Sequence, residues 1–294
     1  MTVRYVLLDF DGTLTAPEHV TDVFLSRFRT GFLAAVGEAH AETWDRTLAA
    51  VRLGSPHLAW MLEGYEACPA DADPYTLASA VASRVLASFE HPKVAPGETD
   101  VLRELPYHLY KQLYDAPSAP FRPEVEEALT ALHATGATLA VISNSAGDKI
   151  DRRLDALALE RKVRDAIQVY GGARKFGVRP ATEHGPARAA FDALPDFVGN
   201  VGLARPVWLR RGAFFDAMAR VWGADPAGPA STIFCGDIWE LDLALPSALG
   251  CAVHLVERAA PLATHKAERV AAATTAGAGF SPNLWGLVER VRGH

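Results

Sequence analysis

Two aspartates separated by one residue lie near the start of the chain, in Asp9-Phe10-Asp11-Gly12-Thr13-Leu14-Thr15. On an extended chain, alternate residues face the same side, so both carboxylates point one way. Like charges this close repel unless a cation or a shared proton relieves them. Such a pair therefore marks a metal site or an acid–base pair. Gly12 lets the chain turn sharply away after it. Two further polar groups end apolar runs. Ser143-Asn144-Ser145 offers hydroxyl and amide donors before a helical pattern, where an anion is favoured. Gly236-Asp237-Ile238-Trp239-Glu240-Leu241-Asp242 adds the carboxylates of Asp237 and Asp242, about one helical turn apart. The composite is an oxygen-ligand cage suited to Mg²⁺, facing a phosphate cradle.

For these groups to meet, the runs before them must lie side by side. Val3 to Phe10, Ala137 to Ile142, Ile167 to Tyr170, Thr232 to Cys235 and Ala252 to Val256 read as strands. Continuous apolar strands are buried on both faces, which implies a parallel sheet between helices. The intervening helices are legible. Val125, Ala128, Leu129 and Leu132 form a stripe after Pro123, and Gly136 can end that helix. Ser145 and Asp148 have capping-box spacing before Ile150, Leu154 and Leu157. Phe214, Met218 and Val221 repeat the stripe before Gly223. The pattern predicts an α/β doubly wound sheet, whose ligands bind at the carboxyl ends of the strands.

One stretch breaks the alternation. From Ala16 to Pro120 the chain reads as helices with no strand, over Val23 to Val36, Ala41 to Arg52, Tyr75 to Phe89 and Asp100 to Tyr114. It begins and ends inside the α/β pattern, so it is expected as an inserted all-helical cap domain at 16–120, with the core at 1–15 and 121–294. His91 to Gly97 reads as a loop and hinge, and 177–206, rich in Pro and Gly, as an excursion over the sheet edge.

Composition narrows the class. The 294 residues are 49% hydrophobic and 22% charged, which excludes wholesale disorder. Lys and Arg total 29 against 35 Asp and Glu, a net charge of −6, which does not suit wrapping a nucleic-acid backbone. Cys68, Cys235 and Cys251 have no paired spacing, which fits a reducing compartment, and Cys235 and Cys251 read as small core residues. The N-terminus carries no signal-length apolar stretch, and apolar runs elsewhere are broken well short of the ~20 residues of a membrane span. The expectation is a soluble, cytoplasmic protein with no nucleic-acid or membrane partner. Tyr107, Tyr110 and Tyr114 share a helical face and read as packing; Arg161, Lys162 and Arg164 read as a solvated face.

The chain resembles the haloacid dehalogenase-like hydrolases, in particular their phosphatase members with a helical cap inserted after the first strand. Asp9 to Thr15 matches the family's first motif, DxDGT. Ser143 matches the second, and Gly236-Asp237 with Asp242 matches the fourth. The resemblance implies that Asp9 is a nucleophile forming an aspartyl-phosphate and that Asp11 is the general acid and base. It implies Mg²⁺ on Asp9, Asp237 and the backbone carbonyl of Asp11, with Asp242 orienting the metal site or the basic residue. It also implies that Gly12, Ser143, Asn144 and a basic residue bind the phosphoryl group. The third motif lacks its usual Lys-Pro context. Lys175, just past the third strand, ranks first for that role, Arg210 second and Arg205 third. Asp11 favours a leaving alkoxide over a halide, which needs no proton. The expected activity is hydrolysis of a small phosphorylated metabolite. A phosphomutase, or a catalytically silent binding module, is the alternative.

Overall fold

The computed structural model describes residues 2–88, 101–113, 118–200 and 202–293. The expected hinge at 91–97 and Tyr114 lie outside the described residues. In chain order the strands are β1 (Tyr5–Leu8), β2 (Ala59–Leu62), β3 (Tyr65–Pro69), β4 (Thr138–Ile142), β5 (Ile167–Tyr170), β6 (Phe197–Val198), β7 (Val207–Trp208), β8 (Thr232–Gly236), β9 (Ala252–Val256) and β10 (Ala278–Ser281). Six of them form one sheet in the order β10-β9-β8-β1-β4-β5, and every neighbouring pair is parallel. The chain leaves β1 for β4 on one side and β8 on the other. The carboxyl end of β1 is therefore the point where the strand order reverses, the place at which sheets of this kind bind ligands.

The strands sit where apolar runs predict them because both faces are covered. Leu7, Ala140, Ile142 and Phe234 pack with Phe214, Phe215 and Met218 of the helix Gly212–Trp222. Val6, Leu8, Leu139 and Val141 pack on the opposite face with Leu129, Ile150 and Leu287. Alternate residues of one strand thus serve two cores, so a one-residue slip would exchange both sets. The sixth strand, β10, was not anticipated. Its sequence Ala-Gly-Phe-Ser is short and at the edge, with none of the β-branched residues that mark the others.

The insert has helices at Thr21–Val36, Ala41–Gly54, Pro74–Ala87 and Val101–Leu113, close to expectation. Its own core gathers Phe24, Phe28, Phe32, Trp44, Leu77 and Val81. It is not wholly helical, however. β2 and β3 form an antiparallel hairpin that turns through Glu63 and Gly64, both at positive φ. Tyr110 packs edge-on to Tyr75, whereas Tyr107 is exposed. The excursion at 177–206 folds back on the core: β6 pairs with β7, and Phe191 stacks on Phe215 at 4.5 Å. All three cysteines are buried and free. Among the described residues, no helix is long and apolar enough to cross a membrane.

Candidate active site

Asp9 follows β1 directly, and its N–H donates to the carbonyl of Cys235 at 2.9 Å. The chain then turns through Gly12 at φ +93°, and the N–H groups of Leu14 and Thr15 return to the Phe10 carbonyl. A Cβ on residue 12 would lie 2.2 Å from Asp237 Oδ2. Glycine is needed here both for its backbone conformation and to let the Asp237 carboxylate approach the loop. The loop is pinned from behind by Arg122, which is buried and donates through Nη2 and Nε to the Gly12 carbonyl at 2.7 and 3.2 Å.

Lys175 is 1% exposed, and its Nζ reaches Asp9 Oδ1 at 2.5 Å and Asp242 Oδ1 at 2.8 Å. Its backbone is held at both ends. Asn144 Oδ1 accepts its N–H at 2.7 Å, and Arg211 Nη1 donates to its carbonyl at 2.6 Å. The first-ranked basic residue is thus brought to the carboxylates. Arg210 is not: its side chain is 36% exposed and faces Asp192 and Asp196. The neighbouring Arg211 points inward instead, fully buried, onto the carbonyls of Lys175, Ala67 and Trp208. Arg205 is also elsewhere, in a bidentate pair with Glu240 at 2.6 and 2.7 Å. An arginine doublet before a helix shows in sequence, but which member turns inward is set by the loop's path.

Asp9, Asp237 and Asp242 are buried, with carboxylate oxygens within 4.8 Å of one another. Asp242 has both oxygens engaged, Oδ1 by Lys175 and Oδ2 by the Ile238 N–H at 2.9 Å, so it orients the lysine and the turn. Burial pushes Asp9 up to about 7; Lys175 opposes this, while Asp242 and Asp11 add to it. Burial raises Asp237 well above the carboxylate range, against the pull of Arg258 and with the push of Asp242 and Asp9. Burial opposes charge on Lys175, but Asp242 and Asp9 outweigh it and hold the ammonium above its ordinary value. Two of the three carboxylates, Asp9 and Asp242, share Lys175, and Asp237 shares Arg258 with Glu268. Clustered hard oxygen donors with surplus negative charge fit a divalent cation.

A pH dependence follows. The folded-state pKa of Asp9 lies above its unfolded value, so the folded protein binds this proton more tightly. The associated stability is full below about pH 4 and is lost as pH rises through about 7. For cation-free protein this contribution should lower Tm across that window, and saturating Mg²⁺ should flatten the decline. Differential scanning fluorimetry with and without EDTA measures both.

Asp11 is half-buried and accepts a hydrogen bond from the Ser145 hydroxyl. Ser145 was expected as a helix cap. The helix Gly147–Asp155 instead has Ala146 at its N-cap with no side-chain bond, and Ser145 turns to Asp11. Ser143, at the end of β4, is buried, and its Oγ accepts the Ser145 N–H at 3.1 Å. The Asn144 side chain, by accepting the Lys175 N–H, orients the lysine. The insert descends beside this site: Cys68 and Ala72 pack with Ile238 and Leu241, flanked by Trp60 and Phe176, whose rings meet edge-on at 5.8 Å.

A family model described as haloacid dehalogenase-like hydrolase matches residues 3–181. The chain belongs to that family. Among solved structures, this family member is similar to a predicted phosphoglycolate phosphatase from Haemophilus somnus 129PT at 15% identity, covering 99% of this chain and 98% of that one with a TM-score of 0.50. A HAD phosphatase from Thermococcus onnurineus is similar at 15% identity, with 100% and 99% covered and a TM-score of 0.50. The 2-haloacid dehalogenase from Pseudomonas syringae pv. tomato DC3000 is similar at 17% identity, with 99% of both chains covered and a TM-score of 0.44. No curated protein matches the sequence. The two likenesses at a TM-score of 0.50 concern the fold alone and agree with the family match.

Proposed function

We propose that this hydrolase is a Mg²⁺-dependent phosphatase that cleaves a small phosphate monoester through an aspartyl-phosphate on Asp9. The observation that carries this reading is Asp11. Its carboxyl stands two residues beyond the nucleophile, outside the buried triad, and the Ser145 hydroxyl holds it. Halide departs without a proton, whereas an alkoxide needs one, and a carboxyl group held at this place would serve the alkoxide.

The residues would act as follows. An Asp9 carboxylate oxygen attacks phosphorus in line, forming the Asp9–phosphorus bond as the ester P–O bond breaks, and Asp11 gives its proton to the leaving oxygen. Asp11 then takes a proton from the water that attacks phosphorus, which returns Asp9 as a carboxylate and releases inorganic phosphate. Lys175, held by Asp242, fixes the orientation of Asp9 and offsets charge at the phosphoryl oxygens. The Ser143 hydroxyl, buried at the end of β4, would donate to them. Asp9 and Asp237, with the backbone carbonyl of Asp11, would hold Mg²⁺, which supplies charge neutralisation when bound.

The test is a parallel assay of wild-type protein on p-nitrophenyl phosphate with and without Mg²⁺, and on 2-chloropropionate with halide detection. Phosphate release that EDTA abolishes, with no halide, supports the reading; halide release without phosphate release overturns it. A second expectation concerns the acid. Asp11→Asn should slow the leaving-group step of an alkyl phosphate by about 10²–10⁴-fold and the first-turnover release of p-nitrophenolate much less, since that leaving group needs little protonation, while the later water step loses its base for both substrates. Equal losses in the leaving-group step, followed by rapid quench, would remove the general-acid role.

A further inference from the structure

Asp237 is backed by a buried ion pair that reaches the insert. Arg258, 4% exposed, donates through Nη1 to the Asp237 carbonyl and lies 3.8 Å from Asp237 Oδ2. Its Nη2 donates to Glu268 Oε2 at 2.6 Å, its Nη1 to Oε1 at 3.3 Å, and its Nε to the Leu262 carbonyl at 3.0 Å. Glu268, 2% exposed, accepts the Trp239 N–H on Oε1 at 3.1 Å and the His265 N–H on Oε2 at 3.0 Å. One arginine–glutamate pair therefore grips the chain at Asp237 and again two residues later. The same helix start leads outward: His265 Nε2 meets Asp71 Oδ1 of the insert at 2.8 Å.

We propose that Arg258 and Glu268 are positioning residues for the cation site, and that the Asp71–His265 contact makes docking of the insert part of the same unit. Insert docking and divalent-cation binding then favour one another. This rests on the cation-dependent reading above. A carboxylate that is to hold a cation gains from having one orientation, and outer partners of ligands supply it. A buried network with every acceptor engaged has one good arrangement, and loosening any member lets the others move. The insert contributes Asp71 to that arrangement, so its undocking should free His265, then Glu268, then the segment carrying Asp237. Coupling of this kind is reciprocal.

The experiment uses the full chain, with Mn²⁺ alone as the probe followed by electron paramagnetic resonance, and hydrogen exchange of the β2–β3 amides with and without saturating Mg²⁺. Glu268→Gln should weaken Mn²⁺ binding by about tenfold or more. His265→Ala should weaken it by about fivefold. In wild type Mg²⁺ should slow exchange in β2–β3, and in His265→Ala it should not. His265→Ala leaves the Asp71 carboxylate in place without its partner, so charge alone would hold the cation as tightly or more tightly. Should Glu268→Gln fail to fold by circular dichroism, Arg258→Lys takes its place. Unchanged Mn²⁺ affinity in the Glu268 or Arg258 variant overturns the positioning role. Unchanged affinity in His265→Ala, with exchange still responsive to Mg²⁺, overturns the coupling. Wild-type protein that binds no Mn²⁺ overturns the cation reading itself, and this inference with it.

Discussion

Asp9→Asn is expected to lower phosphatase turnover by on the order of 10⁴-fold or more while leaving the fold in place, because removing a covalent nucleophile disables the whole catalytic group. The amide nearly matches the carboxylate in volume but is a poor nucleophile. The substitution also removes one of three crowded buried carboxylates and leaves Lys175 paired with Asp242 at 2.8 Å. The metal-free variant should therefore be at least as stable as wild type above pH 7, where Asp9 is ionised in the native state. Steady-state kinetics on p-nitrophenyl phosphate and a thermal melt at pH 8 check the two halves. Near-wild-type turnover in a folded Asp9→Asn protein would remove Asp9 as the nucleophile.

Lys175→Met should damage both activity and stability. The ammonium bridges Asp9 and Asp242 in a site with 1% exposure, so its loss leaves two carboxylates facing one another without a counter-charge. Breaking one side of a buried pair typically costs about 3–5 kcal/mol. Losing a donor aimed at the reacting group typically costs about 10²–10³-fold in kcat. Saturating Mg²⁺ should return part of the lost stability, since the cation opposes the same repulsion. Arg210→Ala, at a half-buried position away from the carboxylate cluster, loses only loose pairs with Asp192 and Asp196 at 3.9 and 3.7 Å and a ring contact with Phe191, so it should cost about 1 kcal/mol or less and keep its activity. Chemical denaturation and kcat for the two variants separate these outcomes. A crippled Arg210→Ala beside an active Lys175→Met would reverse the assignment.

The strand ends that form the candidate site were legible in sequence because their polar groups follow directly on apolar runs. Asp9, Ser143 and Asp237 each follow directly on a strand that apolar runs identify, and Asp11 stands three residues past β1. Lys175 was legible for the same reason, five residues past β5. What surrounds these groups was not. Arg122, Arg211, Arg258 and Glu268 are ordinary charges in sequence, and each becomes informative only once the fold buries it against a backbone carbonyl or an opposite charge. The hairpin β2–β3 was missed because Ala-Trp-Met-Leu and Tyr-Glu-Ala-Cys-Pro fit a helical or a strand period equally well over so few residues. The part played by Ser145 turned on one residue of loop length, which decides whether its hydroxyl meets its own helix or Asp11.

The central claim is that Asp9 carries the phosphoryl group, and acid-quench mass spectrometry tests it most directly. Asp11→Asn protein is the suitable form, because p-nitrophenolate leaves without a proton while the water step still needs the missing base. Mixed with p-nitrophenyl phosphate and Mg²⁺, quenched in acid and digested, it should yield an Asp9-containing peptide heavier by one phosphoryl group. That gain should be absent when Asp9 is also replaced by Asn. Release of p-nitrophenol and phosphate together, with no phosphoryl group ever found on Asp9, would contradict the account and place the attacking oxygen on water.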